Sequence, residues 1–194
     1  HCGYFEEKEL MTFRKLGSKL QGHPSSRVNL AGIEVSTGSL GQGLSIGVGG
    51  ALSLKLDNIK SKVYVLLGDG EMQEGNVWEG LMSANSHKLD NLVIIVDKNN
   101  LQIDGSTSDI KTLEPLDKKL EAFGFEVSTI DGHNFDEIEQ ALLKAKKATK
   151  PYAIIANTVK GKGVSFMENN VSWHGKAPKD DELKAALEEL NAEK

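Results

Sequence analysis

The 194-residue sequence contains one cysteine, Cys2, and therefore neither a disulfide framework nor a cysteine-rich zinc site. That usage fits a reducing compartment, and a cytoplasmic location is expected. No apolar run approaches the length of a membrane span, and no charged-then-apolar signal segment opens the chain. A basic excess is missing as well: 23 Lys and Arg stand against 28 Asp and Glu, a formal net charge of −5. Nucleic-acid binders usually carry a basic face, so neither nucleic acid nor a membrane is an expected partner. Internal repeats, low-complexity tracts and a linker long enough to divide the chain are also absent. What remains is a globular composition, 39% hydrophobic and 26% charged, at the size of one ordinary domain. A single domain over 1–194 is expected. The chain opens on His1 rather than Met, which raises the expectation of a preceding segment.

The stretch from Val63 to Gly105 organises the rest. An apolar run, Val63–Leu67, ends in Gly68-Asp69-Gly70, and a second, Leu92–Val96, ends in Asp97-Lys98-Asn99-Asn100. A helix beginning near Gly75 joins them. Two buried strands linked by a helix form a right-handed crossover, so both polar termini emerge at one edge of a parallel sheet. That edge is where open α/β sheets bind ligands, and Asp69 and Asn99 become neighbours there. Further strands are predicted at Phe125–Ile130 and Tyr152–Val159, the latter followed by Lys160-Gly161-Lys162-Gly163. Helices are predicted over 5–16, Leu40–Leu56, Leu113–Phe123, Phe135–Ala148 and Asp180–Leu190. The alternation specifies an α/β fold with a doubly wound parallel sheet.

Asp69 offers a hard carboxylate and Asn99 an amide oxygen, donors that suit magnesium or calcium rather than soft metals. Two protein oxygens leave an octahedral shell incomplete, a deficit that ligand phosphates and water commonly fill. Gly70 lets a phosphate approach the backbone without a side chain in the way. A metal–diphosphate site is one reading; Asp69 as a simple cap for the helix near Gly75 is the other. The segment Leu40–Leu56 reads as helical despite five glycines, which calls for close packing against a sheet or another subunit. Its start, after Ser36-Thr37-Gly38-Ser39, would suit a phosphate or a polar heterocycle. His23, in the irregular stretch from Gly17 to Gly38, reads by itself as a surface turn residue.

Several ordered blocks carry a family resemblance: GHP at 22–24, EVSTGSLGQGLS at 34–45, GDGEMQEG at 68–75, the Asn99 and LQIDG segment at 99–105, VKGKG at 159–163 and WHGKAP at 173–178. Together they resemble transketolase, a thiamine-diphosphate-dependent enzyme, and particularly the N-terminal subunit of split transketolases. The resemblance implies a diphosphate-binding domain of the thiamine-diphosphate fold. It implies that Asp69, Asn99 and the backbone oxygen of Leu101 hold Mg2+ (or Ca2+). Gly68 belongs to the cofactor motif, and Gly70, Lys160 and His174 match diphosphate contacts. Gly38 and Leu40 match positions that meet the aminopyrimidine. Glu74 and Glu79 are similar to carboxylates that link paired active sites, Glu74 in a catalytic role. His23 and His174 match catalytic histidines lining the substrate channel.

The implied activity is transfer of a two-carbon ketol unit from a ketose phosphate to an aldose phosphate, as in the pentose phosphate pathway. The family's pyrimidine-binding domain, with its activating glutamate, and an upstream S-K-G-H-like histidine have no counterpart in these residues. A half-site is therefore expected, N-terminally incomplete and inactive alone, working with a pyrimidine-binding C-terminal subunit in a dimer or heterotetramer. Alternatives are another thiamine-diphosphate enzyme, such as a dihydroxyacetone-transferring or sulfo-sugar transketolase or a decarboxylase component, and an inactive cofactor-binding or assembly module. Solvated readings also stand for single residues: Glu79 as an exposed helix position, and Lys160 and Lys162 as a basic loop. His133, after Asp131-Gly132, reads as a turn residue.

Overall fold

Four parallel strands carry the functional edge. In chain order the elements are α1 (Gln42–Leu56), β1 (Val63–Gly68), α2 (Gly75–Ser86), β2 (Leu92–Lys98), the small strands β3 (Leu101–Gln102) and β4 (Gly105–Ser106), α3 (Thr107–Lys111), α4 (Leu116–Ala122), β5 (Glu126–Asp131), α5 (Phe135–Lys147), β6 (Tyr152–Asn157) and α6 (Asp180–Ala192). The structure, a computed structural model, describes residues 2–192; His1, Glu193 and Lys194 of the expected 1–194 domain lie outside them. The sheet order is β1-β2-β6-β5 and every pairing is parallel. Gly68 stands opposite Asp97, while Asn157 stands opposite both Lys98 and Asp131. All four strands thus end together, and the polar residues after each run share one edge.

Helices cover both faces, as a doubly wound sheet requires. On one face Leu44 and Ala51 of α1, Leu81 of α2 and Leu120 of α4 pack with Val65, Leu67, Ile94, Val96 and Ile155. On the other, Ala141 and Ala145 of α5 meet Val93, Tyr152 and Ile154. The central strands β2 and β6 are consequently near-continuous apolar runs, whereas β1, at the sheet edge, alternates and leaves Tyr64 and Leu66 exposed. The glycines of α1 have a packing cause. A Cβ on Gly47 would stand 2.3 Å from Val65 Cγ2, so the absent side chain is what lets helix and strand approach.

Several expected elements differ. Residues 5–16 form only a 3-10 turn, Glu7–Thr12, with no buried residue, and Leu10, Phe13 and Leu16 are exposed. The apolar period there has no facing surface among the described residues to stabilise an α-helix. The helix expected from Leu113 begins at Leu116, because Pro115 lacks an N–H and biases Glu114 away from helical geometry. Phe135, expected on the packing face of α5, is 86% exposed, and that helix is anchored instead by Ala141 and Ala145. In α6, Ala186 is buried while Leu183, Leu187 and Leu190 remain exposed. Among the described residues no helix is long and apolar enough to cross a membrane.

Candidate metal and diphosphate site

Asp69 leaves the end of β1 and turns its side chain into the sheet edge, where it is only 2% exposed. One carboxylate oxygen accepts the Gly70 N–H at 2.8 Å, and the other accepts the Asn100 N–H at 2.5 Å. The second bond joins the turn after β1 to the turn after β2. It also disposes of the capping alternative: α2 begins behind Glu74, with a 3-10 turn over Glu71–Gln73 between it and Asp69. Burial pushes the Asp69 carboxyl above the usual carboxylate range, opposed by the N–H donors of Asn100 and Gly70. A buried carboxylate so placed favours a cation beside it.

The second turn is held as tightly. Asn99 Oδ1 accepts the Leu101 N–H at 3.0 Å, and Asn100 sits in the left-handed region at φ 62°. Leu101 then pairs with Ser106 in the β3–β4 hairpin, and the Thr107 N–H returns to the Asn100 carbonyl at 3.0 Å. These bonds bring Asp69, Gly70, Asn99 and Leu101 into one small region. Gln102 lines it too, since a Cβ on Gly70 would stand 3.2 Å from Gln102 Cβ. The Gln102 side-chain oxygen is buried with no hydrogen-bond partner among the described residues.

The remaining residues fall into three groups. His23 lies directly against Gly38, whose φ of +116° and lack of Cβ admit the ring; a Cβ there would stand 2.6 Å from His23 Cγ. Leu40 follows, 56% exposed, ahead of the buried Gly41 that begins α1. Lys160 is half-buried beyond β6, reached through Thr158, whose N–H donates to Lys98 O at 3.1 Å and whose hydroxyl donates to Asp97. His174 is exposed at the end of a 3-10 turn, Val171–Trp173, and no hydrogen bond among the described residues ties it to the Asp69 turn. Glu74 and Glu79 lie at the start and on the outer face of α2, Glu74 exposed.

Three polar links were not legible in the sequence. Glu71 accepts the Gly41 N–H at 2.7 Å and the Gly68 N–H at 3.1 Å. His133 does sit in a turn, with its N–H on Asp131 Oδ1, but its Nε2 also accepts the Val159 N–H at 2.8 Å and so braces the segment before Lys160. Lys98 and Glu114 pair at 2.6 Å, behind the Asn99 turn. The one sequence signal for these is that each link has a partner at the polar end of a strand.

The family model described as "Transketolase, thiamine diphosphate binding domain" matches residues 2–194. The chain is 48% identical over 192 residues to an apulose-4-phosphate transketolase subunit from Actinobacillus succinogenes, covering 99% of this chain and 69% of that protein. The chain belongs to the transketolase family.

A second transketolase relative, the 6-deoxy-6-sulfo-D-fructose transketolase subunit SqwG of Clostridium sp. strain MSTE9, is 45% identical over 98% of this chain and 70% of its own length. The crystal structure of transketolase from Campylobacter jejuni superposes with a TM-score of 0.89 at 40% identity, over 95% of this chain and 30% of that one. The chain thus spans about two thirds of the transketolase subunits it matches and less than a third of the Campylobacter jejuni transketolase chain. Its sheet has the α/β fold of that family, and the chain matches the family's thiamine diphosphate-binding domain.

Among the described residues no group of three or more His, Cys, Asp or Glu side chains could hold a metal. An ion at Asp69 would therefore have at most one further His, Cys, Asp or Glu side chain beside it and would draw the rest of its shell from amide or backbone oxygens and the ligand's own phosphates, which is the chemistry of magnesium rather than zinc. The buried carboxylate fits such a group, and Gln102, whose Cβ lies beside Gly70, carries a buried side-chain oxygen with no partner among the described residues.

Proposed function

We propose that this chain is the N-terminal subunit of a split transketolase, binding thiamine diphosphate through a divalent cation and completing its active site with a pyrimidine-binding partner subunit. The observation that carries the reading is the Asp69–Asn100 bond, which sets a buried carboxylate beside the Asn99 turn at the ligand-binding edge. Asp69, Asn99 and the Leu101 carbonyl would hold Mg2+ or Ca2+; Gly70, Lys160 and His174 would meet the diphosphate. Gly38 and Leu40 would meet the aminopyrimidine. Thiamine diphosphate, when bound, supplies the carbanion needed to break a carbon–carbon bond next to a carbonyl.

The residues of this chain bind, orient and move protons. His23, set against Gly38, and His174 would hydrogen-bond sugar hydroxyls and exchange their protons. Glu74 and Glu79, at the start and on the outer face of α2, would link this site to a second one across a subunit contact. The reaction is transfer of a two-carbon ketol unit between sugar phosphates, in the cytoplasm. A second reading concerns the donor. The two subunit relatives bear the names of an apulose-4-phosphate and a 6-deoxy-6-sulfo-D-fructose transketolase, which supports a donor other than the usual ketose phosphates.

The test is a coupled assay on the full-length protein with and without its partner subunit, across xylulose 5-phosphate, apulose 4-phosphate and 6-deoxy-6-sulfofructose. Turnover only when both subunits are present is expected, and the preferred donor separates the two readings. Robust turnover without the partner would overturn the split-site reading. Thiamine-diphosphate binding without turnover on any donor would favour an assembly module.

A further inference from the structure

Glu71 follows Asp69-Gly70 in the 3-10 turn Glu71–Gln73, and its carboxylate ties together two segments that lie far apart in the chain. One oxygen accepts the Gly41 N–H at 2.7 Å and the other the Gly68 N–H at 3.1 Å. Both donors need an outside acceptor. Gly68 ends an edge strand, and because the next N–H, on Asp69, turns inward to the Asp97 carbonyl, that of Gly68 points away from the sheet. Gly41 begins α1 with φ 77° and has no side chain to cap the helix. A larger residue there is strained by that φ, and its Cβ would stand 2.2 Å from Asn76 Oδ1 unless that side chain moved. The Glu71 carboxylate supplies the acceptor from another element, and the helix dipole favours its negative charge.

We propose that Glu71 is a positioning residue for the cofactor, locking the Gly38–Gly41 loop to the Gly68–Gly70 turn. It rests on the assignment of those segments to the two ends of thiamine diphosphate. The lock fixes the separation between the pyrimidine-side contacts and the diphosphate-side contacts. A ligand that touches both segments depends on that separation, and a ligand that occupies only the diphosphate end does not. Charge-assisted bonds from two rigid backbone donors are strong enough for the purpose, whereas a neutral amide in the same place presents an acceptor oxygen at only one of the two positions these donors occupy.

The test compares two probes, thiamine diphosphate and inorganic diphosphate, each titrated with Mg2+ into the full-length protein assembled with its partner subunit. Glu71→Ala should weaken thiamine diphosphate by roughly tenfold or more and inorganic diphosphate by less than about threefold. Glu71→Gln, which keeps the shape and one acceptor oxygen, should show the same asymmetry at smaller size, and it carries the test if the alanine variant fails to fold. Hydrogen exchange should accelerate at both the Gly41 and Gly68 amides in Glu71→Ala, and at one of the two in Glu71→Gln. Equal weakening of the two probes, or no weakening of either, would overturn the positioning role. Failure of the unaltered protein to bind either probe would instead overturn the site assignment on which it rests.

Discussion

Replacing Gly47 with alanine puts a methyl group where Val65 already stands. The new Cβ would lie 2.3 Å from Val65 Cγ2, with Leu92 Cδ1 at 3.6 Å and Val63 Cγ1 at 3.7 Å behind it. Overpacking of this kind costs about 1–3 kcal/mol. Alanine recovers roughly 0.5–1 kcal/mol of helix propensity, so the net effect is a destabilisation of about 1 kcal/mol. Gly49, further along the same helix, is exposed and would place its Cβ in open space. Gly49→Ala should therefore stabilise by roughly 0.5–1 kcal/mol. Urea unfolding of the two variants should separate their stabilities by about 2 kcal/mol in total, at unchanged m-value. Adding Val65→Ala to Gly47→Ala should recover part of the loss, a coupling on the order of 0.5–3 kcal/mol. If Gly47→Ala stabilises as much as Gly49→Ala, then α1 does not approach β1 as described, and the glycines of this helix have another cause.

Three further outcomes follow from the site. Asp69→Asn removes a charge that burial disfavours: its folded carboxyl lies above the ordinary range, so the ionised form costs stability at neutral pH and the neutral isostere relieves that cost. The amide also replaces one of the two oxygens that accept the Gly70 and Asn100 N–H groups, so the cofactor-free variant should melt close to the unaltered protein, while losing the roughly 2.7 kcal/mol of protection that Mg2+ and thiamine diphosphate give at about 100 times Kd. The Lys98 bond holds Glu114 below the ordinary carboxylate range, so its contribution is present above that range and fades as pH falls through the folded value. Glu114 is more than half exposed, and Glu114→Gln should flatten the acid side of a stability–pH profile by less than about 1 kcal/mol. Gly38→Ala forces a Cβ onto the His23 ring at φ +116°, for a strain of about 1–3 kcal/mol, and calorimetry should show weaker thiamine-diphosphate binding.

The parts of this fold legible in the sequence were those where an apolar run stops abruptly at polar residues. Val63–Leu67 before Gly68-Asp69-Gly70 and Leu92–Val96 before Asp97 located β1 and β2 to within a residue or two, and with them the Asp69–Asn99 juxtaposition. Helix α5 was equally plain from its apolar period, and in the structure Asn134 caps it ahead of Asp136 and Glu137. The misses have differing causes. The β3–β4 hairpin has two residues a strand, too few to alternate, yet it carries Leu101. The 5–16 segment had a helical period but no surface to bury it against. Glu71 was invisible for a different reason: its partners are backbone N–H groups, one of them thirty positions away, and any residue but proline carries one. His133 is alike, its ring bonded to the backbone of Val159.

The central claim is that Asp69 anchors a cation and, through it, the cofactor diphosphate. The measurement closest to it is calorimetric titration of thiamine diphosphate, with and without Mg2+, into the full-length protein assembled with the proposed partner subunit, beside Asp69→Ala shown to be folded by circular dichroism. Binding that requires Mg2+ and disappears in the folded variant is the predicted result. Equal binding by Asp69→Ala, or binding indifferent to Mg2+, would contradict the account.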